Sequence, residues 1–130
     1  MPPIPQGMVP FSLLRPGGRV FIIDCFLGRP EYQGPFNSYW HTQIGTIAEY
    51  LCAAQEACLR VEWVQDISRR TEHFWTTTLA LMEAEAREKI LTPTDIARHQ
   101  ASVRAHTLVH QGLADGGLRY AVMSFRKDHN

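Results

Sequence analysis

Two short clusters carry the side chains best suited to chemistry: Tyr39-Trp40-His41 and His73-Phe74-Trp75, each an imidazole flanked by large aromatic rings. An imidazole titrates near neutral pH and serves as a general base, while aromatic rings wall an apolar pocket. His41 and His73 are therefore the candidate catalytic residues. Cys25, Phe26, Tyr39, Trp40, Phe74 and Trp75 are the candidate substrate-binding residues. The alternative for both clusters is packing, because aromatic residues at helix starts fill cores and a neighbouring histidine makes a structural hydrogen bond. Asp24 and Asp66 either pair for acid–base work or cap the turns that follow them.

Other reactive residues argue against familiar chemistries. His106 and His110 are four apart and would share a helix face, but no carboxylate stands at the spacing of the helical zinc motif, and His99 adds no third ligand position. Cys25, Cys52 and Cys58 lack the CxxC spacing of zinc sites and are odd in number, which points to small buried residues in a reducing compartment. No nucleophile elbow, Ser-His-Asp signature or phosphate-binding loop is present. The run Glu83, Glu85, Arg87, Glu88, Lys89 mixes its signs as a solvated helix face does.

The elements that must position these residues read as follows. Four of the eight prolines fall in residues 1–12, which predicts an extended arm. Arg15-Pro16-Gly17-Gly18 marks a turn, and the almost continuously apolar Arg19 to Phe26 predicts a strand buried on both faces. Leu27 to Ser38, with Gly28, Pro30, Gly34 and Pro35, predicts a long loop. Thr46 and Glu49 form a capping box for a helix from Ile47 to Cys58. Leu59 to Ile67 alternates as a strand, and Ser68 then opens a helix reaching the region of Leu91, with Thr76 to Thr78 weakening its middle. Thr92-Pro93 starts a last helix that runs to about Leu113 and stops at Asp115-Gly116-Gly117. Leu118 to Lys127 alternates as a closing strand.

The chain has 130 residues, 45% of them hydrophobic, and its 13 basic residues balance 13 acidic ones. This is one domain's worth of chain with no electrostatic case for nucleic acid or an anionic membrane surface. No apolar run is long enough for a membrane span, and the opening MPPIPQGMVPF is no secretory leader, so a cytoplasmic location is expected.

The segment from Leu13 through Pro16-Gly17-Gly18 to Asp24 resembles the turn and fifth strand of class I S-adenosylmethionine-dependent methyltransferases. Ile47 to Val61 is similar to the family's next helix and sixth strand, with Cys58 where glycine is usual. Gly112 to Lys127 resembles the seventh strand of small-molecule members such as the sterol, tocopherol and geranyl diphosphate methyltransferases. The resemblance implies an α/β fold, a partial Rossmann-like class I methyltransferase fold containing strands five, six and seven, over residues 13–130. In that order the closing strand inserts antiparallel between the other two. The family's glycine-rich first turn and ribose-binding acid have no counterpart here.

The resemblance thus implies the substrate-side C-terminal half of a methyltransferase. The expected function is one subunit of a split enzyme acting on a lipophilic small molecule such as a natural-product intermediate, with S-adenosylmethionine bound mainly by a partner chain. A non-catalytic module that stabilises a larger methyltransferase is the alternative, and a small cyclase or isomerase is the third. Strand count further predicts an oligomer, a heterodimer or a homodimer, that covers the edge of Arg19 to Phe26.

Overall fold

A computed structural model describes residues 14–89 and 91–128. The proline-rich arm expected over residues 1–12 lies outside them. Three strands, β1 (Arg19–Leu27), β2 (Leu59–Asp66) and β3 (Leu118–Lys127), form one sheet in the order β1-β3-β2. β3 runs antiparallel to both neighbours, so β1 and β2 point the same way, as the resemblance implied. Among the described residues four helices flank the sheet: α1 (Gln33–Trp40), α2 (Ile47–Glu56), α3 (Glu72–Glu88) and α4 (Pro93–Asp115).

Local chemistry sets the helix boundaries. The Thr46 hydroxyl accepts from the Glu49 N–H at 3.1 Å, and Glu49 accepts in return from the Thr46 N–H at 3.3 Å, so two otherwise unpaired donors are satisfied. Thr92 and Asp95 repeat the device at α4, with Pro93 in the first turn where its missing N–H costs nothing. Ser68 does not open the third helix directly. A 3-10 turn over Ser68–Thr71 precedes α3, which then runs unbroken through Thr76, whose hydroxyl donates back to the Glu72 and His73 carbonyls.

The loop predicted over Leu27 to Ser38 is replaced by a 3-10 turn at Pro30–Tyr32 and by α1. Its prolines and glycines suggested a break, yet Pro30 opens the 3-10 turn and Pro35 sits in the first turn of α1, where no intrahelical N–H is required. The segment is fastened to the end of α4. The Tyr32 hydroxyl and the Arg29 guanidinium both reach the Asp115 carboxylate, at 2.5 and 3.1 Å, and the Gly28 N–H donates to the Gly117 carbonyl at 2.8 Å. A Cβ on Gly28 would lie 2.1 Å from the Gly116 carbonyl oxygen, so only glycine permits this approach.

Two apolar clusters flank the sheet. On one face Ile22, Phe26, Met123 and Phe125 pack with Leu59 against Tyr50 and Ala54 of α2. On the other, Leu118 packs with Phe36, Ile44, Trp75 and Val109 beneath α1, α3 and α4. That second cover is incomplete, which corrects the expectation of a strand buried on both faces. Phe21 and Ile23 are each 60% exposed, because the helices reach only the Cys25 and Leu27 end of β1. Beside them Trp63 of β2 is also exposed, with its ring 6.2 Å from that of Phe21. The cysteines depart from expectation too. Cys25 is half-buried, whereas Cys52 and Cys58 are exposed, on the outer side of α2 and in the turn that follows it.

Cys58 has φ of 61°, the left-handed conformation in which glycine is favoured after a helix. Replacing Cys58 by glycine removes a steric penalty of roughly 1 kcal/mol and should raise the urea midpoint without changing the slope of the transition; a lowered midpoint would show that the thiol contributes more than the backbone strain costs. Phe125 is fully buried in the central strand. Phe125→Ala should cost about 3–5 kcal/mol in the same measurement, whereas truncating the exposed Leu81 of α3 should change stability by less than about 0.5 kcal/mol.

Candidate functional site

β1 and β2 deliver their carboxyl ends to the same side of the sheet, where ligand crevices of open α/β sheets lie. A cleft of about 310 Å³ opens there beside β1, lined by Asp24 and Cys25 of the strand, Phe36 and Trp40 of α1, the connecting residues 41–44, and Tyr50 of α2. Its walls are fixed by backbone pairing. Leu27 N–H donates to the Gly45 carbonyl at 2.8 Å and Ile44 N–H donates to the Asn37 side-chain oxygen at 2.7 Å, so the 41–45 turn is tied to both β1 and α1. His41 ends α1 in the left-handed conformation, with φ of 51°, which swings the chain from α1 into this turn. The Trp40 indole donates to the Ala105 carbonyl at 3.3 Å, and its ring packs on Phe36 and on His106.

Burial governs the electrostatics. It pushes the Asp24 carboxyl above its usual range, against the opposing effects of the Cys25 N–H, which donates to Oδ1 at 2.7 Å, and of the Tyr50 hydroxyl. Burial, reinforced by the Asp24 charge, pushes the Cys25 thiol up to about 12, so Cys25 stays protonated and is no nucleophile near neutral pH. The same two causes hold the Tyr50 phenol at about 12. Beside Asp24 the cleft thus presents a thiol and a phenol that stay neutral near neutral pH, together with aromatic rings and His41.

Of the residues singled out from the sequence, the structure brings Asp24, Cys25, Trp40 and His41 into this cleft. Tyr39 is next to it in sequence but 40% exposed on the outer side of α1. Phe26 is fully buried beneath α2, edge-on to Tyr50 at 4.6 Å, and does not line the cleft. Of the second cluster only Trp75 meets the first, sharing a buried cluster with Phe36 and Ile44 and packing, like Trp40, on His106. His73 is exposed on α3 with its ring against the Thr77 hydroxyl, Phe74 is 61% exposed, and Trp75 is buried in the core beside His106 and Tyr120.

The two aspartates do not form a pair. Both stand opposite Ala121, two strand spacings or about 10 Å apart, and Asp66 is engaged elsewhere. Its Oδ1 accepts from the Ser68 N–H at 2.9 Å, and its Oδ2 takes Arg119 at 3.3 Å, while the Ser68 hydroxyl in turn accepts from the Tyr120 N–H. Asp66 is the turn cap that strand-end aspartates commonly provide. Sequence reasoning passed over Phe36 and Tyr50. Phe36 lay in an expected loop, and Tyr50 carried only the spacing of a core-facing helical residue. Among the described residues no group of three or more His, Cys, Asp or Glu side chains is placed to hold a metal ion, and no helix is long and apolar enough to cross a membrane.

No family profile matches the sequence, and no curated protein does. Solved structures match the fold. A protein assigned as a sarcosine dimethylglycine methyltransferase of Galdieria sulphuraria superimposes with a TM-score of 0.74 at 19% identity, over 92% of this chain and 45% of that one. A mycolic acid cyclopropane synthase bound to S-adenosylhomocysteine gives 0.72 at 12% identity, over 89% and 46%. Geranyl diphosphate C-methyltransferase of Streptomyces coelicolor, bound to magnesium, geranyl diphosphate and S-adenosylhomocysteine, gives 0.60 at 17% identity, over 86% and 37%. The chain spans less than half the length of each. Its α/β architecture, an open three-stranded sheet with flanking helices, is that of part of a class I S-adenosylmethionine-dependent methyltransferase.

Proposed function

We propose that this chain is the acceptor-side, C-terminal-half part of an S-adenosylmethionine-dependent small-molecule methyltransferase, joined to a partner chain that binds the methyl donor. The observation that carries the reading is the cleft at the carboxyl end of β1, walled by Trp40, Phe36 and Tyr50 and open beside a strand whose outer edge pairs with no other strand among the described residues. The packing alternative required the aromatic side chains to fill their own space. At Trp40 and His41 they border an open cleft instead, which supports acceptor binding over a purely structural module.

The described residues do not fit the donor. A dinucleotide-type cradle needs a strand that leads through open glycines into a helix N-terminus. Gly17 and Gly116-Gly117 lead into strands, and Gly28, which does follow a strand, is closed off by the Gly116 carbonyl. The donor is thus assigned to the partner, and what this chain contributes is shape: Trp40, Cys25 and Ile44 exclude water, and His41 stands at the cleft mouth as the proton acceptor for an acceptor that needs one. Of the second cluster, Trp75 is buried behind the cleft wall with Phe36 and Ile44, and His73 and Phe74 do not line the cleft. The exposed His73 and Phe74 are assigned to the partner contact.

The partner is placed along β1. An unpaired strand edge continuous with exposed Phe21, Ile23 and Trp63 is a larger apolar surface than soluble monomers ordinarily keep in water. Co-expression with a donor-binding methyltransferase chain should yield a complex that transfers methyl groups, with Phe21→Lys and Ile23→Lys together abolishing the complex by light scattering while leaving the circular dichroism of this chain intact. Full activity of the partner alone, or a complex indifferent to the double change, overturns the arrangement. His41→Ala in the intact complex should lower kcat by at least about 100-fold for an acceptor that must lose a proton; an unchanged kcat removes His41 from the reaction.

A further inference from the structure

Asp24 differs from three acidic side chains that tie the strands and their connections together. Glu62 is held by Arg19 and Arg126, Asp66 by Arg119, and Asp115 by Arg29, each within 3.5 Å. Among the described residues no lysine or arginine forms an ion pair with Asp24, although it is more buried than Asp66 or Asp115. No lysine or arginine lines the cleft either. The titratable groups that face it besides Asp24 are Cys25, His41 and Tyr50.

We propose that the cleft binds a small organic ammonium ion, with the Asp24 carboxylate as its counter-ion and the rings of Trp40, Phe36 and Tyr50 as its walls. A carboxylate withdrawn from water and lacking a cation is costly, and the cost is recovered when a ligand supplies the charge. Aromatic faces attract cations through their quadrupole, so the same walls that exclude water also favour the ligand's charge. An anionic ligand would meet Asp24 with like charge. A purely hydrocarbon ligand would bury the carboxylate further without supplying a cation, whereas an ammonium N–H donates to it directly. Tyr50 acts through Asp24 as a positioning residue: fixed on α2, its hydroxyl faces the carboxyl, and the Cys25 N–H holds Oδ1 from the other side. The identity of the ligand rests on the acceptor-site reading above for its consequence in methyl transfer, but the binding site itself stands on the cleft alone.

The test uses the full chain, propylammonium as the probe, and propanol and propionate as its neutral and anionic controls. Binding is followed through the Trp40 indole resonance in two-dimensional NMR. Propylammonium should shift that resonance saturably and bind at least about 10-fold more tightly than either control; equal response to propanol, or no saturable response to propylammonium, overturns the proposal. Asp24→Asn should lose at least about 10-fold of this affinity, and unaltered affinity overturns it. The variant is expected to fold. A carboxyl raised above its usual range in the folded state makes ionisation destabilising as pH rises through that range, so at neutral pH Asp24→Asn should unfold at an equal or higher temperature.

A second readout needs no variant. In the native chain, saturating propylammonium should lower the midpoint at which the Asp24 carboxyl carbon titrates, and an unmoved midpoint overturns the site. Binding of propylammonium without methyl transfer in any partnered complex would sink the methyltransferase reading and leave the ammonium site standing. Methyl transfer to a neutral or anionic acceptor with no ammonium binding would do the reverse.

Discussion

Everything in the sheet is hung on β3. β1 and β2 do not touch each other as strands; each forms its whole ladder with β3, from Leu118 paired with Leu27 at one end to Lys127 paired with Leu59 at the other. A central antiparallel strand satisfies its backbone groups on both sides and packs side chains on both faces, which is why Leu118, Ala121, Met123 and Phe125 are fully buried within one strand. The position of β3 also fixes the site. It sets β1 and β2 parallel and one strand apart, so that Asp24 and Asp66 end at the same level of the sheet with Ala121 between them.

Having reached the same level, the two strand ends diverge in their chemistry. At β2 the carboxylate is neutralised by Arg119 and spent on the Ser68 turn, and the aromatic residues that follow, His73 and Phe74, face solvent while Trp75 turns inward. At β1 the carboxylate is left without a counter-ion, and the residues that follow fold back over it through α1 and the tied 41–45 turn. The difference lies in the connections. Fastening of Arg29 and Tyr32 to Asp115 holds the first connection against the end of α4, so α1 is carried across the strand end instead of away from it. One strand end is thereby a turn and the other a cleft.

The second sheet face shows the same dependence on cover. α1, α3 and α4 together cover only the end of this face where Cys25 and Leu27 lie, so Phe21 and Ile23 are as exposed as many surface residues despite sitting in the most apolar run of the chain. The surface they form with Trp63 is continuous with the open edge of β1. An edge and a face exposed together favour a partner that contributes both a strand and something packed upon it.

Much of this was legible in the residues themselves. Capping boxes at Thr46 and Thr92, the Pro16-Gly17-Gly18 turn and the alternation of Leu118 to Lys127 are local rules, and local rules survive in any tertiary setting. Cys58 in a glycine's place was legible too, and its left-handed backbone gives the reason. What the sequence could not decide is anything that depends on which neighbours arrive. Pro30, Gly34 and Pro35 read as a loop because composition cannot tell a helix's first turn from a break. Apolar continuity in β1 read as burial on both faces because hydrophobicity records a side chain's preference, while exposure is set by how far α3 and α4 extend. His41 and His73 were equivalent as motifs, each an imidazole among aromatic rings. Only the tertiary structure separates them, because a cleft is made by the convergence of β1, α1 and α2 from distant parts of the chain, and no spacing along one segment encodes that convergence.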